Sequence, residues 1–133
     1  MNKKTMFGII LLGIALCIAT CIVGFEKVVI NYRPVILDEG LEASYPSSHT
    51  MLAVAFICAA ISQFSARLKN PGTRKIVLIA CAVDGIGVII CRVLAGVHWI
   101  TDIIGAILIA GACFFLYYGI FKIVLEKKNK KSA

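Results

Sequence analysis

Four apolar runs divide the chain, and its polar residues gather in the short segments between them. Residues 6–25 carry almost no polar side chains, and about twenty residues is what a helix needs to cross the hydrocarbon core of a bilayer. Residues 76–95 and 103–121 repeat that length, whereas 50–66 is shorter and carries Ser62 and Gln63 near its far end. The pattern predicts an all-α membrane protein with four transmembrane helices. The first run is longer than the apolar region of a signal peptide, and the Lys27, Arg33 and Pro34 that follow look like working parts, so it is read as a retained span.

Charge orients these helices. Lys3 and Lys4 precede the first run, Arg67, Lys69, Arg74 and Lys75 surround the Pro71-Gly72 turn, and Lys122, Lys127, Lys128, Lys130 and Lys131 follow the last run. Basic residues accumulate on the cytoplasmic side of membrane proteins, which puts both termini and the middle connector inside. Segment 26–49 holds Asp38, Glu39 and Glu42 and falls outside, together with the stretch from Cys91 to Asp102. Trp99 and the pair Tyr117 and Tyr118 flank the fourth run as interfacial aromatics.

Composition supports this reading. With 60% hydrophobic residues and a mean hydropathy of +0.94, the chain is too apolar for an ordinary soluble domain, and its 133 residues suit one integral membrane domain. The formal charge of +7 is explained by location, so nucleic-acid binding is not expected. Cys17, Cys21, Cys58, Cys81, Cys91 and Cys113 all lie within or at the ends of apolar runs and read as small core residues, not as a disulfide framework.

The chemistry concentrates on the outer side. His98 and Asp102 are four residues apart, a spacing that lets a carboxylate orient an imidazole on one helix face, and Gly96 can turn the chain so that Arg92 faces the ring. The other histidine, His49, follows Pro46-Ser47-Ser48 on the same side, and Lys27 and Arg33 stand upstream. Cations, hydroxyls and turn amides are the groups that hold a phosphate, and two imidazoles supply what remains: one to attack phosphorus, one to protonate the leaving oxygen. Asp84, mid-span between Val83 and Gly85, is expensive if ionised and is a further functional candidate without a nameable partner.

These residues resemble the signature of the type 2 phosphatidic acid phosphatases (PAP2), a family related to the vanadium haloperoxidases. That signature reads Lys, six residues, Arg-Pro; then Pro-Ser-Gly-His; then Ser-Arg, five residues, His, three residues, Asp. Arg92, His98 and Asp102 match the third part in spacing, Pro46-Ser47-Ser48-His49 matches the second, and Lys27 with Arg33-Pro34 matches the first in part. The resemblance implies that His98 is the nucleophile of a phosphohistidine intermediate, that Asp102 orients it, and that His49 is the acid for the leaving group. It also implies that Lys27, Arg33, Ser47, Ser48 and Arg92 hold the phosphate, with no metal and no cofactor. The implied fold is the helical core of the family without its first two helices. The implied activity is hydrolysis of a lipid phosphate or pyrophosphate, of the phosphatidate, phosphatidylglycerophosphate or polyprenyl pyrophosphate type, at the outer face of the cytoplasmic membrane.

Three residues depart from the pattern. Only five residues separate Lys27 from Arg33, so Glu26 holds the place of the family's cation; Ser48 stands for Gly, and Cys91 for Ser. They motivate an alternative: a non-catalytic, shortened relative that binds lipid headgroups or a partner. The expected contacts are a lipid phosphate and membrane lipids, and a second copy of the chain could cover apolar surface left by absent helices.

Overall fold

The computed structural model describes residues 3–36 and 40–131, so Asp38 and Glu39 of segment 26–49 lie outside the described residues. The chain forms α1 (Lys3–Lys27), α2 (Ser48–Arg67), α3 (Pro71–Leu94) and α4 (Ile100–Lys131). Among the described residues, three stretches are long and apolar enough to cross a membrane: Ser48–Ser65 in α2, Pro71–Leu94 in α3 and Ile100–Val124 in α4. The chain is therefore a helical membrane protein.

The helices extend beyond the apolar runs because hydropathy marks only their lipid-facing interior, while polar residues cap their ends. Asn70 caps α3, its carboxamide oxygen accepting from the Gly72 and Thr73 amides at 2.9 and 3.2 Å, and Pro71 fills the first helical position where no amide is needed. Ser47 caps α2 in the same way. At its far end α3 stops where Gly96 takes φ +65°, with the Ala95 amide donating to Cys91 O and the Gly96 amide to Val93 O. That left-handed closure is the turn expected at Gly96, and it redirects the chain from Arg92 toward His98.

The core lies between α1, α2 and α4. Ile14 and Ile18 from α1, Met51 and Ala55 from α2, and Ala106, Ala110 and Phe114 from α4 form one buried cluster. Small residues let the helices approach: Tyr117 lies across Gly13 and donates its hydroxyl to Ile9 O at 2.8 Å, tying α4 to α1. Tyr117, expected as an interfacial aromatic, thus serves as a helix tie. Helix α3 packs mainly on the outer side of α2, with Ile57 over the buried Gly85, and otherwise exposes apolar side chains as a lipid-facing helix does. All six cysteines are free; five are half-buried, Cys91 is exposed, and Cys21 Sγ lies 3.9 Å from Cys113 Sγ.

One close approach bears on the functional end of the bundle. The Tyr45 ring rests on Gly105 of α4 and meets Phe25 of α1 edge-on, with centroids 5.5 Å apart. A Cβ at Gly105 would come within 2.3 Å of that ring, whereas at Gly111, two turns on, it would meet nothing within 4 Å. Gly105→Ala is expected to cost about 1–3 kcal/mol by overpacking. Thermal unfolding in detergent should show a lowered midpoint for Gly105→Ala and none for Gly111→Ala; equal midpoints would contradict this packing.

Candidate active site

The segment between α1 and α2 folds back on itself. Tyr32 and Ala43 form an antiparallel bridge, flanked by Arg33 N donating to Glu42 O at 3.1 Å and Ser44 N donating to Asn31 O at 3.0 Å. Across the same pairing the Arg33 guanidinium meets the Glu42 carboxylate, Nε to Oε2 2.9 Å. The Trp99 indole N–H donates to Tyr32 O at 2.9 Å and fastens the folded segment to the start of α4. Alternation along the two bridged segments thereby sends Asn31, Arg33 and Ser44 toward the end of the bundle.

There they meet Asp102, which is wholly buried. Its Oδ1 accepts from the Asn31 carboxamide at 2.8 Å, and its Oδ2 accepts from the Trp99 amide at 2.9 Å and from the Ser44 hydroxyl. The bond from Trp99, the residue before α4, to a carboxylate three positions on is half of a capping box. Asp102 O in turn accepts from the Ser47 amide at 3.3 Å, joining the first turns of α2 and α4.

His98 precedes α4 instead of sitting on it, so the four-residue spacing to Asp102 works through the helix entrance and not along one helical face. Its Nδ1 lies 3.8 Å from Asp102 Oδ2, beyond hydrogen-bond distance, with Ser44 between them: Ser44 O is 3.0 Å from Nδ1 and Ser44 Oγ 3.2 Å. A carbonyl can only accept, so Nδ1 carries the proton and Nε2 the lone pair. Nε2 is buried without a hydrogen-bond partner, and the ring lines a cavity of about 70 Å³ with Glu26, Arg33, Ser44, Tyr45 and Ser48. Burial holds the imidazole below its ordinary pKa of 6.5, with Arg33 and Arg92 acting in the same direction and the Ser44 carbonyl and Asp102 opposing them. The ring is accordingly neutral near pH 7.

His49 opens onto a different space. Its Nδ1 is held by the Arg92 guanidinium, which can only donate, so the proton of His49 is on Nε2. The two side chains line an open groove between α2 and α3 with Val83, Asp84 and Cys91. The mid-span carboxylate singled out at Asp84 thus shares a groove with His49 and Arg92.

The expected site residues therefore divide. His98, Arg33 and Ser48 share the cavity, Asp102 lies behind His98, and His49 and Arg92 form a pair beside it. Lys27 ends α1 on the exposed surface, and Glu26 takes its place at the cavity wall. Ser47 is fully buried, its hydroxyl accepting from Thr50 N at 3.4 Å and Thr50 Oγ1 at 3.0 Å, so it works in the turn. Ser44 and Asn31 escaped the sequence reading. Asn31 is the one amide side chain in residues 28–47, but nothing local to either residue signals a partner 58 or 71 positions away.

A family model described as the PAP2 superfamily matches residues 8–125. No curated protein and no solved structure matches the chain.

The depressed pKa of His98 has a sign for stability. Above pH 6.5 the ring is neutral folded and unfolded and contributes nothing; as pH falls below that value the unfolded chain binds the proton first, so stability drops. One such group contributes a slope of up to about 1.4 kcal/mol per pH unit. Unfolding midpoints in detergent between pH 7.5 and 5 should therefore fall more steeply for the native chain than for His98→Gln, and parallel curves would contradict a buried neutral imidazole.

Proposed function

The chain belongs to the PAP2 superfamily, a family that generally comprises phosphatases, and on that footing we propose that it hydrolyses a lipid phosphate or pyrophosphate through a phosphohistidine on His98. The observation that carries this reading is the neutral imidazole whose free, buried Nε2 belongs to a cavity it shares with the Arg33 guanidinium. The cavity, about 70 Å³, is small and lined by polar groups, a scale that suits a phosphoryl group.

In this reading His98 Nε2 attacks phosphorus in line as the P–O bond to the lipid breaks. For the acid step His49 is an imidazolium: its Nδ1 leaves the Arg92 guanidinium and takes up a proton, and its Nε2 proton then goes to the leaving oxygen. Water then attacks the phosphohistidine, the N–P bond breaks, and His49 takes the water's proton, restoring both rings. Arg33, Arg92 and Ser48 hold the phosphoryl oxygens, positioning and charge being most of what phosphoryl transfer requires. Ser47 holds its place in the family's motif and works in the α2 turn, whereas Lys27 stands one residue from the family's cation position and supplies its charge from α1's exposed end.

The same footing orients the molecule. Helix α1, 25 residues and ~37 Å long, makes the fourth crossing. Both termini and the 67–75 connector then lie in the cytoplasm with their basic residues, and the site opens at the outer face of the cytoplasmic membrane among its lipid substrates. Residues 1–133 form one domain, with no role for nucleic acid, and a second copy could pack on the exposed apolar helix faces.

Glu26 favours a second reading. A carboxylate at the cavity wall repels phosphate where the family has a lysine, as expected of a relative that binds a headgroup or partner without turnover.

Purified protein in lipid bicelles should release phosphate from phosphatidate or a polyprenyl pyrophosphate with chelator present. His98→Ala should abolish release, and His49→Ala should lower it about 10²–10⁴-fold, less with an aryl phosphate whose leaving group needs no proton. A native preparation no more active than His98→Ala, yet binding vanadate, would establish the second reading.

A further inference from the structure

We propose that Ser44 is a positioning residue through which the Asp102 carboxylate acts on His98, an inference that rests on the phosphatase reading above. The direct distance between the two is too long for a hydrogen bond, Nδ1 to Oδ2 3.8 Å. Ser44 fills the gap with both of its oxygens: its carbonyl takes the Nδ1 proton at 3.0 Å, and its hydroxyl, which donates to Asp102 Oδ2, presents a lone pair to Nδ1 at 3.2 Å. The carboxylate has no need to turn toward the ring, because Asn31 holds Oδ1 and the Trp99 amide holds Oδ2. Ser44 has equally little freedom: it is 1% exposed, and its amide is fixed to Asn31 O by the folded segment.

The consequence is chemical. When Nε2 bonds to phosphorus the ring becomes a cation, and the Nδ1 proton stays where it is, facing Ser44. The Ser44 hydroxyl, polarised by Asp102, lets the carboxylate stabilise that cation at one remove. Removing the hydroxyl leaves the carbonyl and the tautomer in place but breaks the hydrogen-bonded link, so that only the direct charge–charge interaction across 3.8 Å remains.

A double-mutant cycle tests this. Ser44→Ala should lower kcat about tenfold, the worth of one charge-assisted hydrogen bond, with KM unchanged within about twofold. Asp102→Asn should cost far less in the Ser44→Ala background than in the native chain, since the two act in series. Ser44→Cys, which keeps the packing but donates weakly, should behave as Ser44→Ala does and serves if the alanine variant does not fold. Independently of turnover, the titration midpoint of His98 followed by ¹⁵N chemical shift should move in either variant. Additive losses in the cycle, or a His98 midpoint that stays put, would overturn the role of Ser44. If the native chain turns nothing over, the phosphatase reading falls, and the ¹⁵N titration still decides whether Ser44 links the two groups.

Discussion

One buried carboxylate organises the functional end of this protein. A charge removed from water is tolerable only when its oxygens are hydrogen-bonded, and Asp102 meets that demand with donors drawn from three places in the chain: Asn31 and Ser44 in the folded segment, and Trp99 at the mouth of α4. Its backbone oxygen adds a fourth link, to Ser47 at the start of α2. Withdraw the carboxylate and the folded segment, the α2 turn and the α4 entrance lose their common anchor, and Asn31 and Ser44 are left as buried donors without an acceptor.

From that anchor the site follows. Ser44, held in place, fixes the proton of His98 on Nδ1 and leaves Nε2 free beside Arg33 and Ser48. The Gly96 turn brings α3 to its end close to that ring, and Arg92 in the last turn of α3 fixes the opposite tautomer on His49. The two imidazoles thus carry opposite tautomers, set by what each Nδ1 faces. The helical bundle below contributes rigidity through small-residue approaches such as Tyr45 on Gly105, which keep the loop side chains registered against α4.

Much of this was legible in the sequence, and the reasons for what was not are physical. Apolar run length found all four helices, three of them with stretches apolar enough to cross a membrane, but it understated their ends, which caps at Asn70, Ser47 and Trp99 determine. The pairing of His98 with Asp102 was visible in their spacing, and so was the turn at Gly96. What spacing could not show is that a residue from elsewhere would stand between them: Ser44 and Asn31 reach Asp102 through the folded segment, a long-range contact with no periodic signature. Likewise, whether Glu26 or Lys27 meets the cavity depends on the phase of the last turn of α1, and the structure gives that position to Glu26. The carboxylate there is the sharpest departure from a simple phosphate site, and it leaves Arg33, itself paired with Glu42, to supply the positive charge at the wall.

The claim most open to direct test is that His98 carries the phosphoryl group. Rapid-quench mixing of the protein with a ³²P-labelled lipid phosphate, followed by denaturation and mapping of the label, would read it in a single experiment. Label should appear on the peptide containing His98, survive alkali and be lost in acid, as a phosphoramidate bond requires. Label that survives acid, or that maps to another residue, would contradict a phosphohistidine at this position.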